Sequence, residues 1–227
     1  MPNPKTLEMA GNSATPSARF FDDFAPAFDT LYDKKRGPFM RWVDERYRSD
    51  MFIRFRLTFE VFGDLQNKTV ADIGCGSGPY VVEALKRAAA QTVAVDPAPG
   101  MLSLLRQRLA DTGNQSRCTI LEGAFPEVLP PACDHVIVMG VLDYVPDALA
   151  FLRALKRITR ISAAVSFPSK HWFRTPLRKF RYWVRRCPVH FYEEEQIEEL
   201  CRASHFAGIC IRKIPGAGQD YHACLTV

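Results

Sequence analysis

The stretch that decides the fold is "VADIGCGSGPY", which runs from Val70 to Tyr80. An apolar run with β-branched residues ends here, and glycines follow at every second position, at Gly74, Gly76 and Gly78. A helical pattern, "YVVEALKRAAA", comes directly after them. A glycine-rich turn between a strand and a helix lets a ligand approach the backbone closely. The stretch therefore predicts a ligand site at the carboxyl end of a buried strand.

Strand and helix patterns alternate along the rest of the chain. The strand-like runs are "TVAVD", "CTILEG", "HVIVMG" and "AAVSF", and helical runs separate most of them. Two alternating runs, "GICIRKI" and "YHACLTV", follow and form a predicted hairpin. Repeated strand–helix units predict an α/β fold with a doubly wound, mostly parallel, seven-stranded Rossmann-like sheet. The hairpin is expected to add a C-terminal antiparallel strand at the sheet edge.

Composition narrows the class of protein. The chain has 227 residues, an apolar share of 47% and a net charge of +5, which suits one globular domain. No apolar run is long enough to span a membrane, and the polar N-terminal segment does not resemble a signal peptide. Seven cysteines without a C-x-x-C pair are typical of reduced thiols, which predicts a cytoplasmic protein. Five scattered histidines predict no metal site.

The spacing of the glycines distinguishes two classes of nucleotide ligand. A dinucleotide motif, G-x-G-x-x-G, would require a glycine at the position of Pro79. The chain instead has D-x-G-x-G-x-G, which begins at Asp72. A second acid, Asp96, ends the next strand, where a carboxylate can accept hydrogen bonds from two ribose hydroxyls. The pattern therefore predicts a nucleoside-containing ligand other than a dinucleotide.

Three segments together carry a family resemblance: "VADIGCGSG", "VAVDPAPGML" and "DHVIVMGVLDYVPD". With them the chain resembles the class I S-adenosylmethionine-dependent methyltransferases, most strongly over residues 68–167. The resemblance implies S-adenosylmethionine as the cofactor and a methyltransferase activity. It divides the chain into a flexible tail (1–17) and a single methyltransferase domain (18–227). The domain comprises a helical cap (18–66), a cofactor-binding core (68–167), a basic and aromatic substrate insertion (168–192) and a C-terminal helix with a hairpin (193–227).

The resemblance assigns cofactor contacts to residues around the two acids. Asp72 would hold the glycine loop and face the methionine amino group, and Asp96 would bind the ribose hydroxyls. Many relatives place an Asp near the adenine, but this chain has none at residues 123–125, so a backbone group or stacking by Phe125 would serve. The other assigned cofactor positions are Gly74, Cys75, Gly76, Gly78, Pro97, Ala98, Met101, Ala124 and Gly140.

Candidates on the acceptor side follow the fourth and fifth strands. Asp143 and Tyr144 lie after the fourth strand, where Asp143 could accept a proton, hold a substrate group or simply cap a helix, and Tyr144 could wall the pocket. His171 and His190 flank the insertion, and either could serve as a base near neutral pH. In the cap, three residues are expected to cover the site or to bind the cofactor's carboxylate: Phe28, Tyr32 and Arg54.

The insertion carries the acceptor prediction. Between Lys170 and Arg186 the chain has seven Lys or Arg residues, five interleaved aromatic residues and no acid. It can form a lid for a small or amphiphilic, anionic or lipid-like acceptor, a helix on an anionic membrane surface, an RNA-binding surface or a solvated helix. We predict methylation of an oxygen or nitrogen atom of a small or amphiphilic acceptor. Nucleic acid is not the expected partner, although an RNA methyltransferase and a non-catalytic cofactor-binding protein stay as alternatives.

Overall fold

The computed structural model describes residues 51–169, 190–215 and 220–227. Within these ranges, five α-helices accompany one seven-stranded sheet. The strands are β1 (Thr69–Ile73), β2 (Gln91–Asp96), β3 (Cys118–Glu122), β4 (Cys133–Val138), β5 (Thr159–Phe167), β6 (Gly208–Lys213) and β7 (Tyr221–Thr226). The helices are α1 (described over residues 51–62), α2 (Pro79–Lys86), α3 (Pro99–Asp111), α4 (Ala148–Ile158) and α5 (Glu194–Ala203).

The strand order is β3-β2-β1-β4-β5-β7-β6. Every neighbouring pair from β3 to β5 is parallel, whereas β7 is antiparallel to both β5 and β6. The predicted doubly wound Rossmann-like sheet with a C-terminal hairpin is thus confirmed. The hairpin forms one edge of the sheet, with β7 inside the sheet and β6 as the edge strand. The side chains of β7 are mostly buried and those of β6 are largely exposed, which explains the order.

Helices cover both faces of the sheet. On one face, α4 and α5 bury Phe151, Leu155 and Ile197 against the central strands. On the other face, α1 packs through Phe59 and Phe62, while α2 and α3 contribute a separate apolar cluster that includes Leu105. Because both faces are covered, the central strands are almost continuously apolar, as expected for parallel strands buried on two sides.

Helix α1 runs opposite to the parallel strands. Near its C-terminal end, the Phe62 ring lies 4.6 Å from the ring of His135, at the beginning of β4. Further back along the helix, the Thr58 hydroxyl lies 3.3 Å from Nε2 of His222 on β7. The N-terminal end of α1 therefore reaches the edge at which β1, β2, β4 and β5 end, called the carboxyl edge below. In open α/β sheets, ligands bind beyond this edge.

Local signals explain where the helices begin. Pro79 and Pro99 stand in the first turns of α2 and α3, where a missing backbone N–H costs nothing. The side chain of Asp147 accepts a hydrogen bond from the backbone of Ala150 and caps α4. The helix-cap alternative for Asp143 is therefore wrong, because the cap lies four residues later.

Candidate functional site

The glycine loop follows β1 at the carboxyl edge. Backbone N–H groups of Gly74 and Cys75 donate to the carbonyl of Val95, at 2.7 and 3.1 Å, and thereby tie the loop to β2. Gly76 has a φ of +53°, and a Cβ atom there would meet nothing within 4 Å. Gly78 has a φ of +76°, and a Cβ atom there would lie 2.2 Å from Leu105. The loop is thus closely packed at Gly78 and open at Gly76, which leaves room for a ligand against its backbone.

Asp96 connects this loop to the turn after β2. One carboxylate oxygen accepts from the backbone N–H of Gly76 at 2.8 Å, and the other accepts from that of Ala98 at 2.9 Å. Asp96 is nearly buried, and burial raises its pKa while the two N–H groups lower it. Each carboxylate oxygen can accept more than one hydrogen bond, so Asp96 is held in place with acceptor capacity left for two ligand hydroxyls.

Asp72, near the end of β1, is buried, and its carboxylate lacks some of the hydrogen bonds that would offset the cost of burial. Its Oδ2 atom is inaccessible to solvent and has no hydrogen-bond partner among the residues that the structure describes. Burial, and to a smaller extent the charge of Asp96, raises the pKa of Asp72 to about 8. An unsatisfied buried acceptor is costly, and such groups in native structures call for an explanation. A cationic hydrogen-bond donor from a ligand would satisfy Oδ2 and offset the carboxylate charge.

On the β2–β3 side, the predicted adenine contacts divide into two groups. Met101 and Ala98 are buried together, and Pro97 is half-buried beside them. The ring of Phe125 packs edge-on against Phe151, with centroids 4.9 Å apart, inside the core. Because that ring is already packed, the structure does not support adenine stacking by Phe125. The half-buried residues before it, Gly123 and Ala124, leave a backbone contact as the alternative.

Cys75 also contributes its backbone rather than its side chain. The thiol is buried in the apolar cluster with Val81 and Leu85, and burial raises its pKa well above the ordinary value. A thiol in this environment behaves as a small apolar group.

At the end of β4, the backbone turn at Gly140 faces open space. Gly140 has a φ of +74°, and a Cβ atom there would meet nothing within 4 Å. Its backbone N–H donates to Oγ of Ser166, on β5, at 2.8 Å. Ser166 is buried, and sequence reasoning missed it. A serine inside the otherwise apolar run "AAVSF" was the available signal.

The loop after β4 meets the end of the insertion. The backbone N–H of His190 donates to the carbonyl of Asp143 at 2.9 Å, so two residues predicted separately lie side by side. Tyr192 was missed: its hydroxyl donates to the carbonyl of Leu142 at 3.4 Å. Burial, followed by the charge of Asp143, raises the pKa of Tyr192 to about 12. Asp143 is itself buried, so this loop forms a closely packed wall at the carboxyl edge.

Comparison with known proteins identifies the family. A family model described as a methyltransferase domain matches residues 70–162, the segment that carries the glycine loop, Asp96 and the turn at Gly140. Residues 70–162 thus carry a methyltransferase domain of the class I S-adenosylmethionine-dependent type. The family and the cofactor inferred from the sequence are thereby confirmed.

Curated relatives of this methyltransferase have diverse names. A tRNA U34 carboxymethyltransferase of Shewanella frigidimarina is 27% identical over 179 residues, which cover 67% of the chain and 53% of the relative. A ubiquinone biosynthesis O-methyltransferase of Nitrosomonas europaea is 28% identical over 116 residues, which cover 51% of the chain and 49% of the relative. The chain thus spans about half the length of these two relatives.

Solved structures share the fold. Magnesium protoporphyrin IX methyltransferase from Synechocystis PCC 6803, solved with bound SAH, superposes with a TM-score of 0.71. The match covers 92% of this chain and 96% of that chain at 18% identity, which establishes the fold alone.

The site fits S-adenosylmethionine chemically. The ribose hydroxyls are donors that match the Asp96 carboxylate, and the amino group is a cationic donor that matches the unpartnered Oδ2 of Asp72. The open backbone at Gly76 and Gly140 leaves space between these two acids and the end of β4. The residues that would hold the cofactor are therefore present and oriented.

Some predicted features lie in residues that the structure does not describe, and others stay predictions. Phe28, Tyr32, His171 and the insertion up to residue 189 lie outside the described residues. In the described ranges, no helix has the length and apolarity to cross a membrane. Over the same ranges, no group of three or more His, Cys, Asp or Glu residues could hold a metal ion. The absence of a metal remains a prediction.

Proposed function

We propose that this chain transfers the methyl group of S-adenosylmethionine to an oxygen or nitrogen atom of a small or amphiphilic acceptor that carries an anionic group. The observation that supports this proposal is the junction of two segments beside Gly140. The loop after β4 and the end of the insertion meet there through the His190–Asp143 hydrogen bond, at the same edge as the cofactor acids. An acceptor bound against this wall would lie next to the cofactor's methionine end.

The proposed roles of the residues follow from their contacts. When bound, the cofactor supplies an electrophilic methyl carbon on a sulfonium. Asp96 would accept from the ribose hydroxyls, and Oδ2 of Asp72 would accept from the amino group. Asp143 would either take a proton from the acceptor or orient one of the acceptor's polar groups. Both roles require the Asp143 carboxylate to lie beside the acceptor. Tyr192 would keep the loop after β4 in place through the carbonyl of Leu142.

The acceptor class is inferred from this chain's own residues and not from the names of the proteins that it matches. By their names, the matched proteins act on tRNA, ubiquinone precursors and magnesium protoporphyrin IX, so membership in the family does not select an acceptor. The basic and aromatic composition of residues 170–186 favours an anionic or amphiphilic molecule. The two ends of that segment, Ser169 and Tyr192, form a bridge at the carboxyl edge of β5, so the segment leaves and returns beside the proposed acceptor site.

A turnover screen tests the proposal. The protein is incubated with S-adenosylmethionine and, separately, with metabolite extract, lipid extract or total RNA, and release of S-adenosylhomocysteine is measured. We expect release with the metabolite or lipid extract, and a decrease of at least tenfold in Asp143→Asn. The matched control is Asp147→Asn, which changes the cap of α4 four residues away and should retain turnover.

Each other outcome of the screen has a defined meaning. Release with RNA alone would replace the proposed acceptor with RNA. Cofactor binding without release from any extract would favour the non-catalytic alternative. Contact with an anionic membrane, a further proposal for residues 170–186, predicts co-sedimentation with phosphatidylserine vesicles at low salt and loss of it at 0.5 M salt, since screening weakens surface attraction.

A further inference from the structure

A side chain of β5 holds the backbone turn at Gly140. The paired registers of β4 and β5 end at Val138 and Val165. Just beyond them, the backbone N–H of Gly140 donates to Oγ of Ser166 at 2.8 Å. Ser166 is only 2% exposed, so water has little access to this hydrogen bond. A buried serine therefore fixes a peptide group immediately after β4, at the edge where the cofactor acids lie.

This hydrogen bond also sets the direction of the carbonyl in the same peptide group. In a trans peptide, such as the one between Met139 and Gly140, the N–H and the C=O point in opposite directions. The N–H of this peptide is directed at Ser166 on β5, and β4 lies between β5 and β1. The carbonyl of Met139 is thereby directed away from β5, to the side of β4 on which β1 lies.

The turn after β4 packs directly on the glycine loop that follows β1. A Cβ atom on Gly74 would lie 2.4 Å from Cγ2 of Val141. The backbone N–H of Gly74 donates to the carbonyl of Val95 on β2, so it does not bond the carbonyl of Met139. Near the end of β1, Oδ2 of Asp72 has no hydrogen-bond partner among the described residues. Two acceptors thus lie at the ends of neighbouring strands, which are about 4.8 Å apart.

The histidine opposite Ser166 does not compete for this serine. His222 pairs with Ser166 in the β5–β7 register, but its Nε2 atom lies 3.3 Å from the hydroxyl of Thr58. That hydroxyl donates its one hydrogen to a carbonyl one turn earlier in α1, so it accepts from Nε2. Burial lowers the pKa of His222 to about 4, so the ring is neutral at neutral pH. At the other end of β5, by contrast, Ser162 pairs with the histidine beside it, His135.

We propose that Ser166 is a positioning residue for the cofactor, because it orients the Met139–Gly140 peptide so that the Met139 carbonyl accepts a hydrogen bond from the cofactor's amino group. A charged amino group has three N–H donors, and Oδ2 of Asp72 would take a second one. This inference rests on the proposed cofactor-dependent function and adds to it a residue that holds the cofactor's amino-acid end from behind the backbone.

The first arm of the test compares two ligands that differ at the amino-acid end. Affinities for S-adenosylhomocysteine and for 5′-methylthioadenosine, which keeps the nucleoside and lacks the amino-acid end, are measured by calorimetry. In Ser166→Ala we expect S-adenosylhomocysteine to bind about tenfold more weakly, the effect of one hydrogen bond to a charged group. The affinity for 5′-methylthioadenosine should be unchanged within twofold. Ser162→Ala is the matched control, because it removes another buried serine of β5, and it should leave both affinities unchanged within twofold.

A merely structural role of Ser166 predicts a different pattern. Each substitution removes one buried hydrogen bond, so both should lower the free energy of unfolding, and a distorted site would weaken both ligands alike. An unchanged affinity for S-adenosylhomocysteine in Ser166→Ala, or equal losses for the two ligands, would overturn the inference. The same selective loss in Ser162→Ala would also overturn it.

The second arm identifies the group of the cofactor that is bound. Decarboxylated S-adenosylhomocysteine keeps the amino group and lacks the carboxylate. We expect Ser166→Ala to weaken the binding of this amine about tenfold as well, relative to wild type. A loss with S-adenosylhomocysteine but not with the amine would assign the contact to the carboxylate and contradict the inference.

A folding defect is recognised independently. If Ser166→Ala binds none of the three ligands, Ser166→Cys replaces it, since a thiol has a similar shape but accepts hydrogen bonds only weakly. A loss confined to the two ligands that carry the amino group supports the inference, and any other pattern contradicts it. Neither arm measures turnover, so failure here is distinct from failure of the proposed function.

Discussion

A carboxylate lies at each end of the central strands, and the two differ in their hydrogen bonds and in the direction of their pKa shifts. At the amino edge, where β1 and β4 begin, Asp134 accepts from both the backbone N–H and the hydroxyl of Thr69, at 2.8 and 2.9 Å. These bonds help to hold the pKa of Asp134 below its ordinary value. At the carboxyl edge, Asp72 has an unpartnered oxygen and a pKa raised to about 8. The acid with hydrogen-bond partners stabilises the fold, whereas the acid without them is the one that we expect to bind a ligand.

The same contrast separates two buried serines on β5, Ser162 and Ser166. Near the amino edge, Oγ of Ser162 and Nδ1 of His135 lie 2.9 Å apart and form a closed pair. Near the carboxyl edge, Ser166 accepts from the backbone of Gly140, whose turn faces open space. One strand thus supports the core at one end and a binding site at the other.

The largest expected effect is the loss of cofactor affinity when Asp96 is replaced. In Asp96→Ala, the ribose hydroxyls lose their acceptor, and the Gly76 and Ala98 N–H groups lose theirs. Hydrogen bonds to charged groups contribute about 1.5–3 kcal/mol, so we expect the Kd for S-adenosylhomocysteine to rise roughly ten- to a hundredfold by calorimetry. The control is Glu122→Ala, because Glu122 is the exposed acid opposite Asp96 on β3. Equal losses in both variants would remove Asp96 from the site.

An intermediate effect is expected at the amino edge. Thr69→Val keeps the shape of the side chain and removes the hydroxyl that bonds both the carboxylate and the backbone N–H of Asp134. We expect the free energy of unfolding in urea to fall by about 1–2 kcal/mol. The affinity for S-adenosylhomocysteine should be unchanged, and a tenfold change in it would abolish the distinction between the two edges.

The smallest effect is the change in stability that Asp72 imparts over a single pH unit. Its raised pKa means that the folded state binds the proton more tightly, so this stability is complete below pH 4 and is lost as pH rises through about 8. Near pH 7 we expect the free energy of unfolding to fall by about 1 kcal/mol per pH unit, in a range above the lowered pKa values of His135 and His222. Asp72→Asn should have a shallower slope in urea titrations. A slope equal to that of wild type would assign the dependence to other groups.

Local patterns in the sequence predicted most of the fold and the identity of the cofactor. The glycine loop, Asp72 and Asp96 lie within or directly after strands, where composition and spacing carry the information. The prediction failed where distant segments meet. Ser166 reaches Gly140, and His190 reaches Asp143, only because β4 and β5 are neighbours in the sheet. The edge position of β6 likewise depends on burial in the assembled sheet, which hairpin spacing alone does not determine.

The position of β7 inside the sheet also determines when the sheet can be completed. β7 follows both β5 and β6 in the sequence, yet β5 pairs with it on one side and β6 pairs with it on the other. During synthesis, β5 therefore exposes an unpaired edge until β7 emerges, and open edges recruit strands from other chains. We expect a chain that stops at Pro215 to aggregate at concentrations at which the full chain stays clear, as light scattering would measure. The last strand thus protects its neighbours from intermolecular pairing.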